Sequence, residues 1–212
     1  MTLCVQYGCG FNAPPGWVNF DSSPTLRFER LPFIGGTYTR NATRFPPAVR
    51  YGDIVKGLPI EPNSVDKLYA SHVLEHLAHE DAVIALKNSH LILKSGGIFR
   101  VIVPDLTVRV RKYLSDVGSV SAAPEFLDST LLGRRSRARG ILNIASTVLG
   151  NSNHLWMWDE PSLTHALKMA GFSDIRRCTF GDSGDSDFVQ VEQMERFIAG
   201  DIVELALQCK KP

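Results

Sequence analysis

Two glycines and one carboxylate near the amino terminus have the types and the spacing of a nucleotide-binding turn. Gly8 and Gly10 follow a short apolar run, 3–7, and Asp21 follows a second one, 17–20. Because glycine has no Cβ and tolerates positive φ, a Gly-x-Gly turn lets the backbone approach a ligand closely. A carboxylate at the tip of the following strand can accept hydrogen bonds from the two hydroxyls of a ribose. By itself the pattern is just as typical of an ordinary tight turn.

Three later groups border predicted strands, and two of them stand at carboxyl-terminal strand ends, the edge where open α/β sheets place their ligands. Asp53 follows the third predicted strand, where a carboxylate can meet the exocyclic amine of an adenine. The segment Ser71-His72-Val73-Leu74-Glu75-His76-Leu77 follows the fourth strand, and Lys94-Ser95-Gly96-Gly97 precedes the fifth. This recurrence favours a ligand site over a chance turn.

His72, Glu75 and His76 also match H-x-x-E-H, the signature of one class of zinc peptidases. On a helix, two histidines four residues apart can hold zinc, with the glutamate as general base. That interpretation needs a third protein ligand and a helical setting, whereas this segment begins at a strand end. The alternative is that Glu75 and His76 are structural polar groups, and we assign no metal ligand from the sequence.

Residues in the second half of the chain are candidates for contact with a second substrate. His154 can act near neutral pH as a general base or an orienting group. Trp156 and Trp158 can wall an apolar site, although core packing explains them somewhat better. Arg134 begins a basic cluster that can bind an anionic acceptor or can simply form a solvated helix face.

Seven short apolar segments alternate with helical patterns and indicate one α/β domain spanning 1–212. Their mostly continuous apolar character predicts a Rossmann-like, mostly parallel seven-stranded sheet with helices on both faces. Only ten residues separate Gly10 from Asp21. Since a strand–helix–strand crossover needs a dozen or more, the first helix is expected to be shortened or absent. The predicted strands are 3–7, 17–20, 49–54, 65–70, 98–103, 172–180 and 202–209.

Helical patterns fill much of the remaining chain. We expect helices over about 80–93 and 160–170, the second with Gly171 just past its end. Residues 22–48 are expected to be a long loop with one short helix. Residues 106–153 have an interrupted helical pattern and are expected to form a helical insertion or lid over an acceptor site.

The composition is that of an ordinary globular protein. Of the 212 residues 44% are hydrophobic and 21% are charged, and the formal net charge is +1. Non-specific nucleic-acid binders have a stronger basic bias, so we expect no nucleic-acid partner. The four cysteines form no C-x-x-C pair and fit a reducing compartment. Because no apolar run approaches ~18 residues, we expect a soluble, cytoplasmic protein without membrane contact.

Several segments together resemble one enzyme family. The sequences "VQYGCG", "PGWVNFD", "YGDI", "LPIEPNSVDKLYASHVLEHL" and "LKSGGIFRVIVPDL" are similar, in order, to the successive motifs of class I S-adenosylmethionine-dependent methyltransferases. More narrowly, they resemble bacterial methyltransferase-domain proteins with a G-C-G first motif. The resemblance covers roughly residues 3–106, with a weaker echo in "HLWMWDEPSLTHALKMAGF" and the last strand.

The resemblance implies S-adenosylmethionine as cofactor and a role for each matching position. It places Gly8, Cys9 and Gly10 along the methionine part of the cofactor and Asp21 at the ribose hydroxyls. The remaining implied contacts are Asp53 and Ile54 at the adenine, and Ser71 and His72, mostly through backbone, at the floor beside the sulfonium.

The implied reaction is direct transfer of the sulfonium methyl group to an oxygen, nitrogen or carbon nucleophile. In such reactions the cofactor supplies the chemistry, while the protein aligns the reactants and removes water. We expect a small-molecule or glycan-type acceptor. The shortened first motif leaves open a non-catalytic module that binds the cofactor or a partner, and the zinc hydrolase is a third reading. The sequence gives no indication of the oligomeric state.

Overall fold

Nine strands form two sheets in residues 2–37, 41–133 and 153–212, the ranges described by a computed structural model. Seven of them make one sheet in the order β3-β2-β1-β4-β5-β9-β6, and β7 pairs with β8 in a small hairpin. The strands are β1 Cys4–Tyr7, β2 Val18–Asp21, β3 Val49–Tyr51, β4 Val65–Ser71, β5 Leu93–Val103, β6 Ser173–Arg177, β7 Ile198–Ala199, β8 Ile202–Val203 and β9 Leu205–Lys210.

The large sheet is mostly parallel. Strands β1 to β5 pair in parallel. Strand β9 is antiparallel to both of its neighbours, β5 and β6. The Rossmann-like, mostly parallel seven-stranded sheet predicted from the sequence is therefore confirmed. Its parallel strands end along one edge, and the predicted ligand-binding residues follow those ends.

Helices cover both faces of the sheet. On one face α2 and α5 pack over the main core, which includes Leu68, Phe99 and Leu163. Helix α5 begins where Asp159 caps the backbone N–H of Ser162. In the described ranges no helix is both long and apolar enough to cross a bilayer. The helices are α1 Pro24–Glu29, α2 His79–Ile92, α3 Leu106–Ser115, α4 Ala122–Thr130, α5 Glu160–Met169, α6 Ser186–Val191 and α7 Met194–Phe197, with a 3₁₀ turn at Leu74–His76.

The helix between β1 and β2 is absent, as the short spacing from Gly10 to Asp21 predicted. Residues 8–17, all of which are described, form turns and extended chain without a helical segment. A right-handed crossover from β1 to β2 moves across the sheet in the opposite direction to the β4-to-β5 crossover. A helix there would therefore lie on the face opposite α2.

Helices α6 and α7 cover that opposite face instead. The ring of Phe188 lies 5.8 Å from that of Trp17, and both belong to a second buried cluster with Cys4 and Tyr69. Asn12 Nδ2 donates a 2.8 Å hydrogen bond to the carbonyl of Val191. A segment inserted between β6 and β9 thus supplies the packing that the short β1–β2 connection cannot.

Some element boundaries differ from the sequence-based expectation. The single strand expected over 202–209 is divided at Glu204 into β8 and β9, because Glu204 turns inward to a buried arginine. The polar segment after β6 contains two helices and a hairpin that the loop-like composition of 181–187 did not indicate. Helices α3 and α4 fill the first part of the predicted insertion and pack on each other through Tyr113 and Phe126. Residues 134–152, including Arg134, lie outside the described ranges.

Candidate functional site

The turn after β1 has the backbone geometry that its glycines predict. Gly8 has φ +66° and Gly10 has φ +56°, which favours glycine at both positions. A Cβ on Gly8 would overlap Cγ2 of Val73, whereas a Cβ on Gly10 would meet no atom within 4 Å. Gly8 therefore permits close packing against the chain after β4, and Gly10 borders open space.

Asp21 holds this turn from the end of β2. Its Oδ2 accepts a 2.9 Å hydrogen bond from the backbone N–H of Gly10, and its Oδ1 accepts one of 2.8 Å from Ser23. A carboxylate oxygen can accept more than one hydrogen bond, and the side chain is only partly buried. Asp21 can therefore fix the glycine turn and still receive the hydroxyls of a ligand.

Cys9 lies under the turn as a packing residue. Its side chain is buried with Leu26, Phe45 and Val49. Burial raises the pKa of the Cys9 thiol to about 12. Since the thiolate is the nucleophilic form, Cys9 offers no nucleophile near neutral pH.

Asp53 and Ile54 lie after β3, beside the turn. Asp53 Oδ1 caps the backbone N–H of Val55 at 3.0 Å, and its Oδ2 lies 3.4 Å from Nζ of Lys56. The carbonyl of Ile54 accepts a 2.7 Å hydrogen bond from Asn88 on α2, and the Ile54 side chain is buried. The connection after β3 is thereby fixed against the helix that follows β4.

A shallow cleft opens between the ends of β1 and β4. Two hydroxyl groups in its wall, Tyr69 OH and Ser71 Oγ, are buried beside each other and make no hydrogen bond of acceptable geometry within the described ranges. Buried polar groups in proteins are normally paired, so these two indicate a ligand or water in the cleft. The lining includes Gly8, Cys9, Asn12, Tyr69, Ser71 and Arg196.

His72 turns the chain sharply at the end of β4, with φ +55°. Its Nε2 lies 3.0 Å from the carbonyl oxygen of Arg196, and its Nδ1 lies 3.1 Å from Glu75 Oε1. Burial alone would lower the pKa of His72, but the hydrogen bond and charge of Glu75 raise it overall. His72 therefore links β4 to α7 and carries positive charge more readily than a free histidine.

The H-x-x-E-H segment does not form the helix that a zinc peptidase requires. Only Leu74–His76 is helical, as a single 3₁₀ turn, and His72 lies before it in a left-handed conformation. His72 and His76 are therefore not successive residues on one helix face. The peptidase interpretation is not supported by this geometry.

The fold instead brings His154 to Glu75 and His76. Donor atoms of these three side chains all lie within 4.8 Å of one another. The segment that carries His154 is fastened here because Leu155 N–H and Trp156 N–H both donate to the carbonyl of Glu75, at 2.7 and 3.2 Å. Burial lowers the pKa of His154, so its imidazole is neutral near pH 7.

The two tryptophans have different environments. Trp156 is 42% exposed, and its ring lies 4.6 Å from that of His79. Trp158 is 1% exposed and belongs to the main core. The structure thus leaves Trp156 available to a second substrate and gives Trp158 the packing role.

Arg196, Asn12 and Tyr69 were not singled out in the sequence. Arg196 reaches the cleft from α7, and Asn12 from the loop that stands where a first helix was not possible. No local sequence pattern marks Arg196 or Asn12 as a cleft residue, because the position of each side chain depends on how the inserted segment packs on the sheet.

Comparison with known proteins supports the fold and the family. Residues 36–101 match a family model described as a methyltransferase domain. No sequence among curated proteins matches the chain. Similar solved structures include S-adenosylmethionine-dependent methyltransferases from three organisms. They are a Thermotoga maritima protein (TM-score 0.52, 17% identity, 100% of this chain and 83% of that one), an Archaeoglobus fulgidus protein (0.51, 15%, 99% and 86%) and a Methanosarcina mazei protein (0.53, 14%, 98% and 91%).

At these identities the structural likeness concerns the fold, and the family model describes the segment 36–101. The shared fold is a Rossmann-like, seven-stranded and mostly parallel sheet with helices. The matched segment contains Asp53 and the strand end at Ser71 and His72. The fold and the matched segment together support an S-adenosylmethionine-dependent methyltransferase.

Proposed function

We propose that the cleft between β1 and β4 binds S-adenosylmethionine and that the methyl group passes to a small-molecule or glycan-type acceptor. The observation that carries the proposal is a pair of buried hydroxyls, Tyr69 OH and Ser71 Oγ, that make no hydrogen bond of acceptable geometry in the part of the chain that the structure describes and lie beside a glycine turn with open space at Gly10. The amino-acid part of S-adenosylmethionine has the polar groups that such hydroxyls require. The residues present therefore fit the cofactor.

Each predicted cofactor residue has a role in this arrangement. Gly8, Cys9 and Gly10 form the wall beside the methionine part, through backbone. Asp21 accepts the ribose hydroxyls. Asp53 and Ile54 bound the adenine, with Asp53 as acceptor for its amine. Ser71 and His72 form the floor under the sulfonium.

Arg196 takes over a role that a helix would otherwise have. A helix amino terminus provides unpaired N–H groups and a partial positive charge for an anionic ligand. No helix follows β1 in this chain, and the exposed Arg196 lines the same cleft as Gly8 and Asn12. We assign its guanidinium, with the Asn12 amide, to the methionine carboxylate.

When bound, the cofactor supplies an activated methyl group. The chain's contribution is to hold the acceptor in line with the methyl–sulfur bond and to exclude water. His154 and Trp156 belong to the acceptor side. The neutral His154 can take a proton from the acceptor or give its lone pair to an ion, and Trp156 offers an apolar ring.

The charges near this edge favour a small or glycan-type acceptor over a polyanion. Arg109 is paired with Glu204 at 2.8 Å, and Arg177 with Asp105 at 2.6 Å. Phosphodiester backbones are bound by cations that neutralise phosphates. The cations of these ion pairs are already neutralised by carboxylates of the same chain.

Asp21→Asn tests the cofactor site. The exchange keeps the size of the side chain and removes the charge that strengthens hydrogen bonds to the ribose. We expect the Kd for S-adenosylhomocysteine to rise about 10- to 100-fold, since a hydrogen bond to a charged group contributes about 1.5–3 kcal/mol. Isothermal titration calorimetry measures it. Asp201→Asn, at an exposed position on the β7–β8 turn, serves as control and should bind like the wild type. Equal affinity of Asp21→Asn and wild type would refute the assignment.

Transfer of a radiolabelled methyl group from S-adenosylmethionine tests the acceptor class. The panel contains sugars, oligosaccharides, small phenols and amines, together with RNA and DNA. Label in a small molecule or glycan supports the proposal, and label in nucleic acid alone contradicts it. Tight cofactor binding without transfer to any acceptor would favour the non-catalytic module.

A further inference from the structure

We propose that Glu75, His76 and His154 form a binding site for a divalent transition-metal ion at the acceptor side of the cofactor cleft. The site goes beyond methyl transfer as such, because S-adenosylmethionine chemistry does not itself require a metal. It differs from the H-x-x-E-H arrangement, since the second histidine comes from a distant part of the chain rather than from His72.

The donor atoms of the three side chains already lie close together in the absence of an ion. One ligand atom from each of the three side chains lies within 4.8 Å of the other two. The rings of His76 and His154 have centroids 5.0 Å apart and are close to perpendicular, at 74°. Ligands around an ion with bonds of about 2.0–2.2 Å lie about 3–3.5 Å apart. Small side-chain rotations would therefore close the site.

His76 is held in the tautomer that a ligand needs. Its Nδ1 lies 3.1 Å from the carbonyl oxygen of Asn153, which can only accept a hydrogen bond. The proton therefore resides on Nδ1, and Nε2 keeps its lone pair. That Nε2 points toward the carboxylate of Glu75, 4.0 Å from Oε1. A backbone carbonyl on the second nitrogen is the usual outer partner of metal-binding histidines.

Glu75 and His154 contribute buried polar atoms that make no hydrogen bond of acceptable geometry among the described residues. Glu75 is 0% exposed, and neither of its carboxylate oxygens has a hydrogen bond of acceptable geometry. His72 Nδ1 lies 3.1 Å from Oε1. His154 is 8% exposed, and its buried Nδ1 makes no hydrogen bond of acceptable geometry within the described ranges. A cation bound between the buried carboxylate and the two imidazoles would satisfy these atoms.

The donor set indicates the type of ion. Two imidazoles and one carboxylate are ligands that zinc and iron(II) accept, and a three-ligand site keeps open positions for exchangeable groups. The four cysteines are buried elsewhere as free thiols, so the site is free of sulfur ligands. One ligand of such an ion, Glu75, follows His72 of the proposed cofactor floor by three residues in the sequence. An ion bound there would polarise an acceptor oxygen.

Metal binding can be measured without activity. Protein stripped with a chelator is titrated with Zn²⁺ by calorimetry and with Co²⁺ by visible absorption. We expect one ion per chain and a cobalt d–d band without the intense thiolate band that cysteine ligands produce. Absence of binding to folded, stripped protein by both ions would overturn the proposal, as would a thiolate band.

Single substitutions locate the ion. His154→Ala and Glu75→Gln should each weaken Zn²⁺ binding by at least about 100-fold, since loss of an outer partner alone typically costs 10–100-fold. His165→Ala, an exposed histidine on α5, is the matched control and should leave affinity unchanged. Unchanged affinity in folded His154→Ala, or equal loss in His165→Ala, would contradict the site. Should both site variants fail to fold, the cobalt spectrum of the wild type decides.

Discussion

At the scale of single residues, the proposed cofactor site depends on a few side chains that replace missing backbone groups. Asp21 accepts the N–H of Gly10 and of Ser23 and so fixes a turn that no helix supports. Arg196 lines the cleft beside that turn. In the proposed site this arginine supplies the positive charge that a helix amino terminus would otherwise contribute.

Arg196→Ala should weaken the binding of S-adenosylhomocysteine about 10- to 100-fold, the cost of one charge-assisted hydrogen-bonded contact. Binding of 5′-methylthioadenosine, which lacks the amino-acid carboxylate, should change less than about twofold. Calorimetry with the two ligands separates a carboxylate contact from a general disturbance of the cleft. Arg111→Ala, an exposed arginine on α3, is the control. An equal loss for both ligands would show that Arg196 does not contact the carboxylate.

At the scale of elements, a buried ion pair joins α3 to the residue that precedes β9. Arg109 on α3 is 5% exposed and Glu204, just before β9, is 3% exposed. Arg109 Nη1 and Nη2 each donate to one Glu204 oxygen at 2.8 Å. Glu204 Oε2 also accepts the backbone N–H of Asp105 at the end of β5. The guanidinium and the carboxylate are thus joined by two hydrogen bonds, and each charge has a partner of opposite sign.

Glu204→Ala should lower the free energy of unfolding by about 3–5 kcal/mol, because it leaves the buried Arg109 charge without a partner. Urea unfolding followed by circular dichroism measures the change. Glu160→Gln removes the carboxylate of an exposed pair with Arg177 and should cost less than about 1 kcal/mol. Similar losses in the two variants would mean that the Arg109–Glu204 pair is not desolvated as the structure shows.

At the scale of the whole molecule, ion pairs attach the inserted segment to the sheet. Lys67 on β4 contacts Asp185 and Asp187 at 2.6 Å, and the buried Arg100 on β5 lies 2.9 Å from Asp182. Burial alone would raise the pKa of Asp182 and of Asp185. Hydrogen bonds from Arg176 and Arg100 hold the pKa of Asp182 below its ordinary value, and a hydrogen bond from Lys67 does the same for Asp185.

These lowered pKa values predict acid sensitivity. The stability that Asp182 and Asp185 contribute is present above their ordinary pKa near 3.8 and is lost as the pH falls through the lower folded-state value. The free energy of unfolding of Asp185→Asn should therefore fall less steeply below about pH 4 than that of the wild type. Asparagine keeps the helix cap of α6. Urea titrations between pH 5 and pH 3 test this, and Asp201→Asn is the control. A slope equal to the wild type in Asp185→Asn would contradict the prediction.

The fold could be predicted from the sequence. Short apolar runs predicted the seven strands and the edge where the parallel strands end. The short Gly10–Asp21 spacing predicted the missing helix. The strand expected over 202–209 could not be divided correctly, because Glu204 turns inward only for a partner on α3.

The sequence by itself thus determined the sheet, the glycine turn and the carboxylate at the end of β2, because these depend on local period and chain length. Tertiary structure alone decided which distant residues meet. It brought His154 beside Glu75 and His76, placed Arg196 at the cleft and moved Trp158 into the core. The physical reason is that contacts between elements follow from how faces pack. The spacing of residues along the chain does not indicate which distant residue a side chain will contact.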